Sequence, residues 1–385
     1  MIYANDKIPY RAPRTLCQGS EKTMTESRMS SYIKRIATGP KMSKDLSREE
    51  ARDGMELILA GEADPVQAAI FLIALRMKRE SEDENLGILE ALRAHTHFSC
   101  ADVDDLIDIA DPYDGFLRHL PAGPFLPALL AACWLPAVSH GCEQLGPKFG
   151  LTHHQILAAA GINVNLNPED AAACVSNPEI GWAYVDQRFS NPDLYGLAEL
   201  RRLIVKRPCL ATLEKFCGPI RARGKNHLMV GYVHTAYEQL LPQLARHAGY
   251  ASALVVRGIE GGVVPPLNAL SKLAGFNADG VDISDRLAPR EAGIESIVRN
   301  TALPDGADSM QVFHHQAMAV AAAQEGLNAL NGVSGPMRDS LVLAAAAVLQ
   351  RTGRANSIDA GAMIARTNLD SGAACARFQA LMLVN

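Results

Sequence analysis

Several things are scarce in this chain, and each scarcity removes a class of function. Eight cysteines occur without any C-x-x-C spacing, and most sit among apolar neighbours, as Cys133 and Cys174 do. That pattern offers neither a zinc site nor a disulfide framework, and it predicts a reducing cytoplasm. Long hydrophobic runs are missing. The longest, residues 124–138, holds three prolines and is too short to span a bilayer. The N-terminus has no apolar signal-peptide core. Excess charge is missing too: 37 Lys and Arg face 42 Asp and Glu, a formal net charge of −5. No global field therefore draws the chain to nucleic acid or to an anionic membrane, although a local basic groove stays compatible. There is no internal repeat and no low-complexity tract. The expectation is a soluble cytoplasmic protein with no membrane partner.

What is present is ordinary globular material. The 385 residues are 48% hydrophobic and 21% charged, enough for one large or two medium domains with a substantial core. Residues 1–40 are polar, mixed in sign and without sustained periodicity, so they read as a loosely ordered arm, with Met24 and Met29 as alternative starts. From Lys44 the pattern becomes helical. Ser47 with Glu50, and Ser81 with Glu84, form capping-box pairs. Asp64-Pro65 opens the helix between them. Residues 69–75 are almost wholly apolar, which marks a buried face or a subunit contact. Residues 41–105 thus form a small helical domain.

Strands and helices alternate from Leu106. Apolar runs of strand length at 106–110, 137–139, 180–185, 228–232 and 253–256 are separated by helical patterns. Further long helical patterns cover 311–330 and 336–349, and Ser357 caps a last helix that ends near Met382. The fold class is α/β: a small N-terminal α-helical domain plus a larger α/β domain with a mostly parallel central sheet. The larger domain covers 106–189 and 218–385, and helices from about 190–217 rejoin the small one.

In such sheets ligands gather outside the carboxyl ends of neighbouring strands. Two loops there carry the candidate ligand-binding residues. The first is Asp111-Pro112-Tyr113-Asp114-Gly115 with Arg118. The second holds His140, Gly141 and Lys148. Each residue has two readings. Asp111 and Asp114 either meet a metal or sugar hydroxyl or close a turn through their own side chains. Tyr113 either stacks on a ring or anchors the loop. Arg118 either forks onto a phosphate or makes a surface ion pair. Lys148 either charges a phosphate site or is solvated. Arg207, beside Pro208, is a candidate anion contact. Adjacent His153 and His154 cannot face one metal, so capping or surface roles are favoured. The basic residues Arg201, Arg202, Lys206, Arg207, Arg221, Arg223 and Lys225 read either as a solvated face or as a polyanion groove. No catalytic residue, nucleophile or strong general base stands out, and no metal-ligand set is assigned.

Leu46-Ser47-Arg48-Glu49-Glu50-Ala51, Ile58-Leu59-Ala60-Gly61-Glu62 and residues 67–78 closely resemble the N-terminal helices of the anthranilate phosphoribosyltransferase family. The resemblance runs on through Val138-Ser139-His140-Gly141 and Arg257-Gly258-Ile259-Glu260-Gly261, covering about 44–380. It implies a homodimer through the helical domain, with phosphoribosyl pyrophosphate and magnesium between the domains. His140 then occupies the slot of the family's histidine. The family's GTGGD pattern is replaced by Asp111-Pro112-Tyr113-Asp114-Gly115, and its Asp-Glu pair falls near Gly261-Gly262-Val263. Arg207, Thr212-Leu213, Lys215, His234 and Tyr237 are similar to a non-biosynthetic branch of the family. The resemblance implies a glycosyl (pentosyl) transferase that binds a phosphorylated or nucleotide-like ligand in the interdomain cleft. The alternatives are a non-catalytic nucleic-acid-binding protein on the same fold and a dimeric scaffold with a dead cleft.

Overall fold

The computed structural model describes residues 19–39, 41–304 and 313–384. Four helices open it: α1 (Gly19–Ile36), α2 (Arg48–Leu59), α3 (Pro65–Lys78) and α4 (Glu82–Ala94). Both capping boxes form as expected, at Ser47 with Glu50 and at Ser81 with Glu84. Asp64 caps α3 by accepting from the backbone N–H groups of Val66 and Gln67. The arm expected to be loose over 1–40 is instead helical from Gly19 to Ile36, and residues 1–18 lie outside the described residues. Met29 and Ile36 are buried, and Arg28 and Arg35 pair with Asp53 and Glu50 of α2. This apolar stripe is sparse, and its partners lie on other helices, so the sequence hardly advertises it.

The α/β part follows. Its first half is β1 (Ser99–Ala101), β2 (Asp105–Ala110), α5 (Leu126–Ala132), β3 (Ala137–Gly141), α6 (His153–Ala159), α7 (Pro168–Ser176) and β4 (Trp182–Asp186). Four short helices return the chain to the helical unit: α8 (Gln187–Ser190), α9 (Pro192–Tyr195), α10 (Ala198–Leu203) and α11 (Leu210–Leu213). Next come β5 (Ile220–Ala222), β6 (Lys225–Gly231), α12 (Tyr237–His247), β7 (Ser252–Val256), β8 (Ser271–Phe276) and β9 (Asp282–Leu287). The chain closes with α13 (His315–Leu330), α14 (Pro336–Arg351), α15 (Ile358–Asp370) and α16 (Ala373–Met382).

The central sheet has the order β4-β3-β2-β6-β7-β8-β9, and β1 pairs separately with β5. The strands from β4 to β7 are parallel, while β8 and β9 add antiparallel at one edge. That hairpin is absent from the sequence expectation because β9 reads as polar, with Asp282, Ser284, Asp285 and Arg286 outside the core. Period-2 alternation splits each inner strand between two cores. Met229 of β6 joins a core with α5 and α13 to α16. Its neighbours Leu228 and Val230 join a second core with Met55, Leu72, Leu210 and Leu241. The second core therefore binds the helical unit directly to one sheet face. The single helix expected from Ser357 to Met382 is two helices, broken at Gly372 with φ 77°.

At the carboxyl end of β6, Gly231 packs against the loop after β7. A Cβ there would lie 2.0 Å from the carbonyl oxygen of Gly262 and 2.5 Å from that of Gly261. Both obstacles are backbone and cannot rotate away. Gly231→Ala is therefore expected to destabilise the protein by about 2 kcal/mol or more. Urea unfolding of the two proteins measures this, and an unchanged midpoint would show that the loop is free to retreat.

Candidate functional site: the interdomain cleft

The loop after β2 is closed by its own sequence. Gly115 takes φ 72°, and its N–H donates to the Pro112 carbonyl. Asp111 sits at its root, buried. One carboxylate oxygen accepts from Val263 N–H at 2.7 Å, and the other contacts His153 Nε2 at 2.8 Å. Asp111 thus ties the loops after β2 and β7 to the start of α6. Gly123 leaves room for this junction, since a Cβ there would lie 2.0 Å from the Asp111 carboxylate. The carboxylate is a clamp between loops, and among the described residues the 111–115 turn is closed by backbone and not by the Asp111 side chain. His153 and His154 are buried rather than on the surface. They diverge as expected, His153 to Asp111 and His154 to Asp186 at 2.9 Å.

Tyr113, His140 and Gly141 face inward. Because β3 includes His140, its imidazole lies on a sheet face rather than in an open loop. There Nδ1 meets the Tyr113 hydroxyl. Nε2 lies 2.9 Å from Asp108 of β2, close enough for an ion pair but out of line for a hydrogen bond. Asp108 also accepts from the Tyr250 hydroxyl at 2.7 Å. Burial pushes the Tyr113 and Tyr250 hydroxyls well up from their ordinary value. A crevice of about 10 Å³ beside Tyr113, His140 and Gly141 is only the size of a water. His140 and Tyr113 therefore form internal structure and do not line the large cleft.

Lys148 is likewise spent. Its ammonium donates to the Gly115 carbonyl at 2.6 Å and lies 2.7 Å from Glu260, so it is not solvated. Glu260, in the loop after β7, takes φ 53°, a left-handed conformation unfavourable for its side chain. It also accepts from His119 Nδ1 at 3.0 Å and from the backbone N–H groups of Leu117 and Arg118. Burial would raise the Glu260 carboxyl. The hydrogen bonds of His119 and the Lys148 ammonium outweigh this and hold it well below the carboxylate range. Arg118 contributes only its backbone here, and its side chain is exposed.

The open space lies between the helical unit and the sheet. It is a cleft of about 830 Å³ lined by Arg76 and Arg79 of the helical unit and by Asp114, Arg207 and Lys215, and the Arg76 guanidinium donates to the Arg207 carbonyl. Of the nine sequence candidates, Asp114 and Arg207 line it, joined by an ion pair of 2.6 Å. Lys215 is the residue sequence reasoning did not rank as a site. The available signals were its place among the residues similar to the non-biosynthetic branch and a Glu214-Lys215 pair between the apolar Leu213 and Phe216. It is 6% exposed. Its ammonium donates to the Gly231 carbonyl at 2.8 Å, and among the described residues no carboxylate lies within 4 Å of it. The neighbouring Glu214 is taken by Arg201 in a fully buried bidentate pair at 2.6 and 3.0 Å. Burial pushes the Lys215 amine down to about 8, partly offset by Asp111, Glu214 and Asp114 at longer range. A buried, shifted amine on a cleft wall makes Lys215 a candidate functional position.

The basic cluster of the sequence is dispersed. Arg201 is buried with Glu214, Arg202 pairs with Glu199, Arg223 with Asp102, and Arg221 lies over Phe98 and Tyr250. Among the described residues, no three His, Cys, Asp or Glu side chains are placed to hold a metal ion. Nor is any helix of them long and apolar enough to cross a membrane.

The Lys215 shift fixes the sign of a pH effect. An amine with a folded value near 8 and an ordinary value of 10.5 binds fewer protons when folded, so its contribution to stability rises with pH between those limits. Lys215→Met is expected to lose that rise. It is also expected to be more stable than the native protein at pH 7, by up to about 3 kcal/mol. Urea unfolding of both proteins from pH 7 to 10.5 tests it, and parallel pH profiles would exclude the buried charge.

These features sit on a scaffold shared with known proteins. The glycosyl transferase family helical bundle domain matches residues 30–96, and the family's a/b domain matches residues 125–375. Anthranilate phosphoribosyltransferase of Rhodopseudomonas palustris is 28% identical over 358 residues, covering 92% of this chain and 98% of that enzyme. The enzyme of the same name from Nitrobacter hamburgensis is 29% identical over 360 residues, covering 93% and 98%. Among solved structures, anthranilate phosphoribosyltransferase of Thermus thermophilus superposes with a TM-score of 0.71 at 21% identity, over 92% of this chain and 98% of that one. The Saccharomyces cerevisiae enzyme in complex with PRPP and Mg gives 0.71 at 14% identity, over 93% and 98%. Helical bundle and a/b domain follow one another here in the family's order, and the chain belongs to the glycosyl transferase family of the anthranilate phosphoribosyltransferases.

Proposed function

We propose that this protein is a pentosyl transferase that binds a phosphorylated ligand in its interdomain cleft. The observation that carries the reading is the buried Lys215 ammonium on the cleft wall, with Arg207 nearby and no carboxylate partner of its own. A buried cation without a counter-charge is costly, and an anionic ligand would supply the missing partner. In pentosyl transfer the bond between the sugar carbon and its leaving anion breaks, the bonding electrons depart with the anion, and positive charge develops on the sugar. A lone pair of the acceptor forms the new bond at that carbon, while the acceptor's proton passes to the departing anion or to water. Lys215 and Arg207 would favour that step by charge and position. Arg118, His140 and Lys148, candidates from sequence, are not needed for it.

The yeast relative was solved with PRPP and Mg. A magnesium ion asks for hard oxygen ligands, commonly a carboxylate or two. In this cleft Asp114 is held by Arg207, and Glu260 by Lys148 and His119. The acids on the sheet side of the cleft are thus already engaged, which speaks against an ion held there, while Glu80 and Glu82 of the helical unit make no ion pair among the described residues.

A thermal-shift screen tests the reading. Phosphoribosyl pyrophosphate at about one hundred times its Kd should stabilise the protein by about 2.7 kcal/mol. Arg207→Ala should reduce the response. If no phosphorylated sugar shifts the melt, the reading fails. A response to an oligonucleotide that fades in salt would favour the nucleic-acid alternative instead.

The chain is also proposed to pair with a second copy through α3. Val66, Ile70 and Met77 recur there at helical spacing and are 66%, 42% and 76% exposed. An apolar row of that kind is normally covered. Light scattering should give a dimer mass, and Ile70→Glu should give a monomer. A native monomer would end this part of the proposal.

A further inference from the structure

We propose that this cleft neutralises the phosphate of its ligand with the chain's own Lys215 ammonium and without a divalent cation. The inference deepens the reading of the cleft above and rests on it. Three independent features point the same way.

The first is the state of the acids around the cleft. Asp111 accepts from Val263 N–H and contacts His153. Asp114 lies 2.6 Å from Arg207 Nε, and Glu260 lies 2.7 Å from Lys148 Nζ and 3.0 Å from His119. A divalent ion would have to displace one of the chain's own cations or hydrogen-bond donors at each of these. Glu80, in the α3–α4 turn, and Glu82, the first residue of α4, also line the cleft without an ion pair among the described residues; they stand on the helical unit, and burial raises the Glu80 carboxyl.

The second is the state of Lys215. An ammonium has three protons to donate. Here one carbonyl, that of Gly231, is its hydrogen-bond partner among the described residues. The adjacent acid is withheld, because Glu214 gives both oxygens to Arg201. The pair holds the acid beyond ion-pair distance of the lysine, whose charge it favours only at longer range. Both Lys215 and Gly231 line the cleft, so the amine and its anchor share one wall.

The third is the loop that could otherwise hold a diphosphate. Oriented backbone N–H groups make an anion nest, and close approach needs small residues. Pro112 has no N–H, and Gly115 N–H is turned to the Pro112 carbonyl. The N–H groups of Leu117 and Arg118 are given to Glu260. Charge on a side chain must replace what the loop amides do not offer.

Isothermal titration of the full-length protein with phosphoribosyl pyrophosphate and with inorganic pyrophosphate decides the matter, each in EDTA and in magnesium. The native protein is expected to bind in EDTA with a Kd within about threefold of that in magnesium. Lys215→Met is expected to weaken binding by about tenfold or more in both buffers. Lys215→Arg, which keeps the charge, should bind more tightly than Lys215→Met. Circular dichroism and melting check that the variants are folded, and the EDTA comparison needs no variant. Binding that appears only with magnesium overturns this inference and leaves the phosphorylated-ligand reading standing. Lys215→Met binding like the native protein also overturns it. Absence of binding in every buffer overturns both.

Discussion

The Glu260 carboxylate is the contact on which the cleft side of the sheet depends. It gathers Lys148 from the loop after β3, and His119, Leu117 N–H and Arg118 N–H from the loop after β2. It does so from a left-handed backbone that costs free energy to hold. A carboxylate removed from water is stable only when its lone pairs are filled, and here several donors converge on it. Asp111 makes a second junction of the same kind, to Val263 N–H and His153. Between them, the loops that would move independently at the end of an open sheet are held together.

The consequence is a division of charge. Most ionisable groups around the cleft neutralise one another: Asp114 with Arg207, Glu260 with Lys148, Glu214 with Arg201. Burying one such partner alone would be expensive, so these pairs stand or fall together. Lys215 is different. Burial lowers its proton affinity, and Asp111, Glu214 and Asp114, each held by another partner, offset this only in part. Arg76 and Arg79 line the same 830 Å³ space without ion pairs but are exposed, so among the described residues Lys215 is the buried cation there with no carboxylate at ion-pair distance.

Much of the architecture was legible before any coordinates. Capping pairs at Ser47 and Ser81 depend on residues three apart, so the sequence shows them directly. The inner strands are apolar on both faces because both faces are covered, and such runs are readable. The β8–β9 hairpin was not, because an edge strand with one wet face and four polar residues resembles a loop. Lys148, in a loop, and His140, near the end of β3, stand out in the sequence by residue type and position. Their partners, Glu260 and Asp108, are remote in sequence, so no local pattern reveals that each is already engaged.

By itself, the sequence determined the helical unit, the alternating α/β part, the parallel inner strands and the family, because each rests on local periodicity, short-range caps or contiguous motifs. Tertiary structure alone decided which charges are spent on one another and which remains available. Tyr113, His140 and Lys148 were turned inward, and Lys215 was set on the wall of the cleft. The physical reason is that an ionisable side chain's role depends on solvent and on the nearest opposite charge. Both are properties of chain segments brought together across more than a hundred residues, such as His119 and Glu260 at a separation of 141.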